Sequence, residues 1–264
     1  MREMRAKPKI RRRLVLPCAT ALAAVLSLGT ARAELVPIDV DGDGSVDAVY
    51  DSTTDLSWLA DGALYATNSF GLPISPGQGS LDWQTANEWL AAMNAQSHLG
   101  VDDWRLPAVS PVNGSSFVYE PQVPGQTYFN GTIDQIANIT SPASELSYLY
   151  YVSLGNVGLY PTNHVGGVPV SPPGYSPIPQ QGPFVNFLSD VYWTGTPFAG
   201  PLCGASCVWA FGADTGVQGG YRTDGPGIAT WAVRNGRVPV PEAAGRMLLL
   251  SGMGLVSVLA RRRR

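Results

Sequence analysis

Asp103-Trp104-Arg105-Leu106-Pro107 is the stretch on which the fold of this chain turns. Pro107 bars Leu106 from the α region and sets it extended. Trp104 and Leu106 bring large apolar area to bury, and Arg105 between them carries a planar fork of five donors. In a chain poor in cations, that fork is expected to clamp a carboxylate or backbone carbonyls inside the fold. A short loop upstream ends the strongest helix signal of the sequence, Asp82 to Met93. Asp82 is the expected N-cap, and Ala86, Trp89, Leu90 and Met93 share one face at helical spacing.

Working outward, Asp39 to Asp51 reads as an Asp/Gly-rich turn leading into an alternating strand at Asp55 to Leu59. Residues 108–131 read as irregular surface. A second helix is expected from Pro142 to Leu154, with Ser141 as N-cap, Pro142 at the first helical position, and Gly155-Asn156 as its stop. Residues 161–183 hold seven prolines and read as a long irregular loop. Three short aromatic strands follow at residues 191–193, 208–211 and 230–234, separated by Gly-rich turns in the pattern of an antiparallel meander. These elements predict an α+β domain over residues 34–238, with two helices packed on antiparallel strands and long Pro/Gly-rich loops.

Both ends read as targeting signals. Arg2 to Arg13 is a basic region ahead of the apolar stretch Leu14 to Leu28. Ala31-Arg32-Ala33 supplies the small-x-small pattern of signal-peptide cleavage. Residues 1–33 are therefore expected to be removed, taking Cys18 with them, and the mature chain to begin near Glu34. At the other end, Pro241-Glu242 leads into the uncharged segment 247–260 and then Arg261 to Arg264. A polar signal, one hydrophobic segment and a terminal arginine block describe a tail that stops in a membrane with its arginines on the cytoplasmic side. Residues 239–264 resemble the PEP-CTERM sorting signal of Gram-negative bacteria. That resemblance implies an exosortase-type sorting enzyme as partner, an intermediate anchored in the inner membrane, and a final place at the cell surface, outer envelope or extracellular matrix.

Removing the two signals changes the charge. The chain has 17 Lys and Arg against 20 Asp and Glu, but residues 34–238 keep only Arg105, Arg222, Arg234 and Arg237, no lysine, and 18 acids. Such a surface repels nucleic acid, anionic lipid and sulfated glycans, and it tolerates cations and neutral sugars. Nucleic acid is excluded as a partner.

Four of the acids, Asp39, Asp41, Asp43 and Asp47, stand at positions one, three, five and nine of a calcium-loop pattern with Gly44 at the sixth. Tyr50 replaces the bidentate glutamate at position twelve. The expectation is a weak Ca2+ site, and the alternative is a solvated Asp/Gly turn. The mature chain has two cysteines, Cys203 and Cys207, for which a local disulfide is the default in an oxidising compartment and a zinc half-site the alternative. Trp193 and Trp231, with Arg234 beside the latter, are candidate contacts for a sugar ligand; the alternative is that they pack the core. His98 and His164 are isolated, and no metalloprotease, P-loop or dinucleotide signature is present, so the chain is expected not to be an enzyme.

Five elements occur in a recognisable order: Asp-Gly-Asp-Gly-Ser-Val-Asp at 41–47, Leu56-x-Trp58, Trp83-x-x-Ala86, Trp104 to Pro107, and Tyr192-Trp193-Thr194-Gly195 with Trp231 to Arg234. Together they resemble the Lcl carboxy-terminal domain family, and residues 144–156 resemble its subgroup with PEP-CTERM tails. The resemblance implies a layout like C-type lectins and formylglycine-generating enzymes. It also implies a non-catalytic lectin-like module, in this chain one for neutral polysaccharide, because the basic surface that a relative uses for sulfated glycans is missing. The alternatives are a structural envelope protein without a discrete ligand, and a relative of the formylglycine-generating oxidases.

Overall fold

Leu35–Ile38 (β1) and Ala48–Asp51 (β2) form an antiparallel hairpin whose loop is the Asp-rich segment, so the Asp/Gly turn closes two strands. The computed structural model describes residues 34–122, 127–164, 168–200, 203 and 206–241. The expected signal peptide 1–33, Glu242 of the sorting motif and the membrane segment 247–260 lie outside the described residues. No helix among the described residues is long and apolar enough to cross a membrane.

A tight turn with Asp55 in the left-handed region (φ 55°) leads from β2 to Leu56–Leu59 (β3), buried along its whole length. Helix α1 spans Trp83–Ala95 and begins as its sequence requires. The Asp82 carboxylate accepts the Thr85 amide at 2.8 Å, and Ala86, Trp89, Leu90 and Met93 are the buried face. Val191–Pro197 (β4), Cys207–Gly212 (β5) and Val217–Arg222 (β6) make the second antiparallel sheet in sequential order. Val233–Asn235 (β7) returns to the first sheet, whose order is β1-β2-β3-β7. The fold is thus α+β, two helices with two antiparallel sheets.

Three expectations are corrected. The second helix starts three residues late: α2 is Glu145–Tyr148, continued by a wider π turn over Leu149–Ser153. Residues 143–145 are instead tied to 108–110, where Ser110 donates to the Ala143 carbonyl and Glu145 to that of Ala108. The tertiary pairing overrides the helix start that Ser141-Pro142 signalled. Second, the meander has the wrong third strand. β6 fills that place with two central glycines, which hide it from a propensity reading. Third, the 230–234 segment pairs across sheets: Val233 lies opposite Trp58 of β3, while Ala229 bridges Tyr192 of β4.

That crossing segment explains the core. Trp231 sits between the sheets with ring centroids 5.2 Å from Trp58, 4.9 Å from Phe184, 5.1 Å from Phe187 and 5.8 Å from Tyr192. One continuous cluster of buried side chains runs from Ile38 to Val238. A smaller aromatic cluster around Trp209, with Phe117, Tyr119 and Phe198, lies under the residues 108–122 loop. The apolar interior closes within residues 34–238, the span expected to be the mature domain.

Candidate functional site

The Trp104–Pro107 segment leaves the end of α1 and lies against β7. Asn94 of α1 binds both backbone groups of Trp104, its amide donating to the carbonyl at 2.8 Å and its oxygen accepting the N–H at 2.9 Å. The Trp104 indole donates to the His98 carbonyl. Arg105 exchanges both backbone hydrogen bonds with Val233. Its guanidinium grips Glu145 of α2 with two bonds of 2.8 Å and also donates to Asn235 at 2.6 Å. The second Glu145 oxygen accepts the Ala108 amide at 2.7 Å. One arginine therefore joins the loop after α1, the start of α2 and the end of β7, the internal clamp that the segment's chemistry predicted.

Arg234 plays a matching part. It makes two bonds to Asp103 at 2.6 and 3.0 Å and donates to the Gly236 carbonyl. The bonds from Arg234 hold the Asp103 carboxyl below the usual carboxylate range. Arg222 pairs with Asp224 on the surface, and Arg237 lies over the Tyr50 ring at 5.8 Å. All four arginines of residues 34–238 are thus engaged with their own protein.

The sugar-contact expectation is corrected for both tryptophans. Trp193 and Trp231 are buried, and their indole N–H groups donate to the carbonyls of Leu81 (2.7 Å) and Leu59 (2.8 Å). Neither ring offers a face to a ligand: Trp231 fills the space between the sheets, and Trp193 is buried with its ring against Tyr221. Arg234 is bound to Asp103 as described. The two histidines are also packed: His98 against Phe70, with burial lowering its pKa, and His164 against Phe129 and Tyr160.

At the β1–β2 loop the geometry divides the four aspartates. Oxygens of Asp39, Asp41 and Asp43 lie within 4.8 Å of one another. Asp47 is turned to the backbone and accepts the Val40 amide at 2.7 Å. The other three also brace the loop, Asp39 accepting from Gly42 and Gly44, Asp41 from Asp43, and Asp43 from Ser45. Three carboxylates this close could hold a hard cation, while Asp47 is committed to the loop backbone. Cys203 and Cys207 are joined, with Cα atoms 5.8 Å apart, at the entry to β5.

What the sequence did not single out is a cavity of about 480 Å3 beside the outer edge of β6, lined by Tyr128, Phe198 and Gly219 among others. Its walls come from separate loops with no shared motif. The paired glycines of β6 were the one sign that something approaches that strand closely.

The architecture defines a domain of two antiparallel sheets and two helices, held by an arginine clamp and an interlocked aromatic core. Comparison with models of known protein families, with curated protein sequences and with solved structures finds no match for this chain.

Proposed function

We propose that this chain is an exported, non-catalytic module of the cell surface or extracellular matrix, lectin-like in layout, that binds neutral polysaccharide. In this reading it belongs with the Lcl carboxy-terminal domain family and its PEP-CTERM-tailed subgroup. The tail around Pro241-Glu242 delivers it through an exosortase-type enzyme from an inner-membrane intermediate.

The observation that carries the reading is the engagement of all four arginines of the mature domain, Arg105, Arg222 and Arg234 in ion pairs and Arg237 on Tyr50. A domain whose four arginines are engaged in this way and that carries 18 acids repels a sulfated or phosphorylated polymer. Neutral, hydroxyl-rich polymers remain, recognised by aromatic faces and hydrogen bonds. The position of Trp104–Pro107 between a helix and a small sheet supports the lectin-like layout. The Asp39–Asp41–Asp43 set supports a bound Ca2+ that stiffens the first hairpin. The Cys203–Cys207 bridge is compatible with export.

The test is a glycan array probed with residues 34–238, carrying neutral, carboxylated and sulfated polymers. Retention on neutral glycans is expected. Retention only on sulfated ones, or on none, rules the polysaccharide reading out and leaves a structural envelope role.

A further inference from the structure

We propose that the cavity at the outer edge of β6 is the saccharide site, holding one or two neutral sugar units against the exposed ring of Tyr128; this rests on the polysaccharide reading above. Its volume of about 480 Å3 lies within the usual range for small-molecule sites, about 300–1,000 Å3.

The backbone of β6 sets the floor. Gln218 exchanges both its peptide hydrogen bonds with Ile136, at 2.6 and 2.7 Å, so its N–H and C=O point off the sheet. In an antiparallel ladder the residue two places on points the same way. Gly220 is that residue, it lines the cavity, and no backbone partner meets it there among the described residues. Its peptide group offers one donor and one acceptor. By the same alternation Arg222 is the next outward residue, and its carbonyl accepts the Gly225 amide in the turn that follows. The open edge is therefore short, running from Gly220 into the turn after Arg222, and its peptide groups suit the hydroxyls of a sugar.

The side chains complete a mixed surface. Phe198 crosses β6 so closely that a Cβ on Gly220 would lie 2.5 Å from its ring, while a Cβ on Gly219 would meet no atom within 4 Å. The two glycines thus admit the ring and leave the cavity open. Tyr128 is 39% exposed, an aromatic surface available to the C–H face of a pyranose. The Glu120 carboxylate is exposed and accepts no hydrogen bond among the described residues, and Gln135 holds its place by donating to the Tyr119 carbonyl. Ile136, also in the lining, stands at φ 76°, a region β-branched residues avoid. Such strain persists where surrounding structure enforces it and gathers at ligand sites. Glu120 and the net acidity of the domain exclude carboxylated or sulfated sugars.

The experiment uses the mature domain, titrated with short neutral oligosaccharides of glucose, galactose, mannose and N-acetylglucosamine. The variants are Tyr128→Ala, Tyr128→Trp and Glu120→Ala, all at exposed positions, with melting temperatures measured in parallel. Affinity for the best oligosaccharide should fall about tenfold in Tyr128→Ala, the loss expected for one aromatic stacking contact. Tyr128→Trp should restore it, and Glu120→Ala should weaken it several-fold, with melting temperatures unchanged. Binding by the unaltered domain that survives both alanine changes overturns this site and leaves the polysaccharide reading standing. No binding to any oligosaccharide overturns both.

Discussion

Arg105 and Glu145, 40 residues apart in the chain, are locked by two parallel hydrogen bonds of 2.8 Å. The carboxylate side chain is 12% exposed and the guanidinium 33%, so the pair is largely but not wholly out of water. Because Glu145 also holds the Ala108 amide, the pair fixes where α2 begins and how the residues after Pro107 lie against it.

Glu145→Ala strands a half-buried guanidinium and a backbone N–H together. Breaking a fully buried pair costs about 3–5 kcal/mol; the partial exposure of Arg105 reduces the expectation to about 2–3 kcal/mol. Urea unfolding of the mature domain should show a lower midpoint with an unchanged slope. Arg222→Ala, which removes a solvent-exposed pair, should leave the midpoint where it is. Equal effects of the two changes would refute the clamp.

Acid should expose the second arginine pair. Asp103 has a folded-state pKa held below its ordinary 3.8, first by hydrogen bonds from Arg234. A depressed carboxylate pKa adds stability that is fully present above about 3.8 and is lost as pH falls through the folded value. Asp103 is half exposed, so the contribution is under about 1 kcal/mol. Asp103→Asn should therefore be less stable than the unaltered domain at pH 7, and the gap should close as pH falls through the lowered pKa of Asp103. A gap that stays constant from pH 7 to acid assigns the loss to packing instead.

Calcium binding at Asp39, Asp41 and Asp43 predicts a higher melting temperature in millimolar calcium than in chelator. At a hundredfold excess over the dissociation constant the gain is about 2.7 kcal/mol, or roughly 5–10 °C for a domain of this size. Asp41→Ala should abolish the calcium increment while changing the chelated protein little. Asp47→Ala should lower stability in both buffers, because Asp47 serves the Val40 amide. Superimposable melts of the unaltered domain with and without calcium would eliminate the site.

Sorting through the tail predicts that replacing Pro241 and Glu242 together by alanine leaves full-length protein in the inner membrane. Fractionation and mass of the cell-bound species measure it. Release and processing at the normal rate would count decisively against the sorting motif. Among the described residues Val238 is the last that is buried, and it lies only three positions before Pro241, so variants should be confined to the motif to leave the fold intact.

The local signals of the sequence carried α1, its Asp82 cap and the strands around Trp58, Trp193 and Trp209, because capping and apolar spacing act within a few residues. The role of Arg105 was equally legible: a lone guanidinium among acids and aromatics has few partners other than its own protein. The sequence offered Cys203 and Cys207 as a disulfide or a zinc half-site, and the structure joins them. Which carboxylate Arg105 takes, the late start of α2 and the crossing of Trp231 between the sheets depended on pairings between segments far apart in the chain, 172 residues in the case of Trp231 and Leu59. Periodicity cannot register such pairings, since the energy that decides them arises only when distant segments share one interior. The same holds for the fates of the aromatic rings. Composition presents Trp193, Trp231 and Tyr128 alike, and only the closing of the two sheets buries the first two and leaves the third facing a cavity.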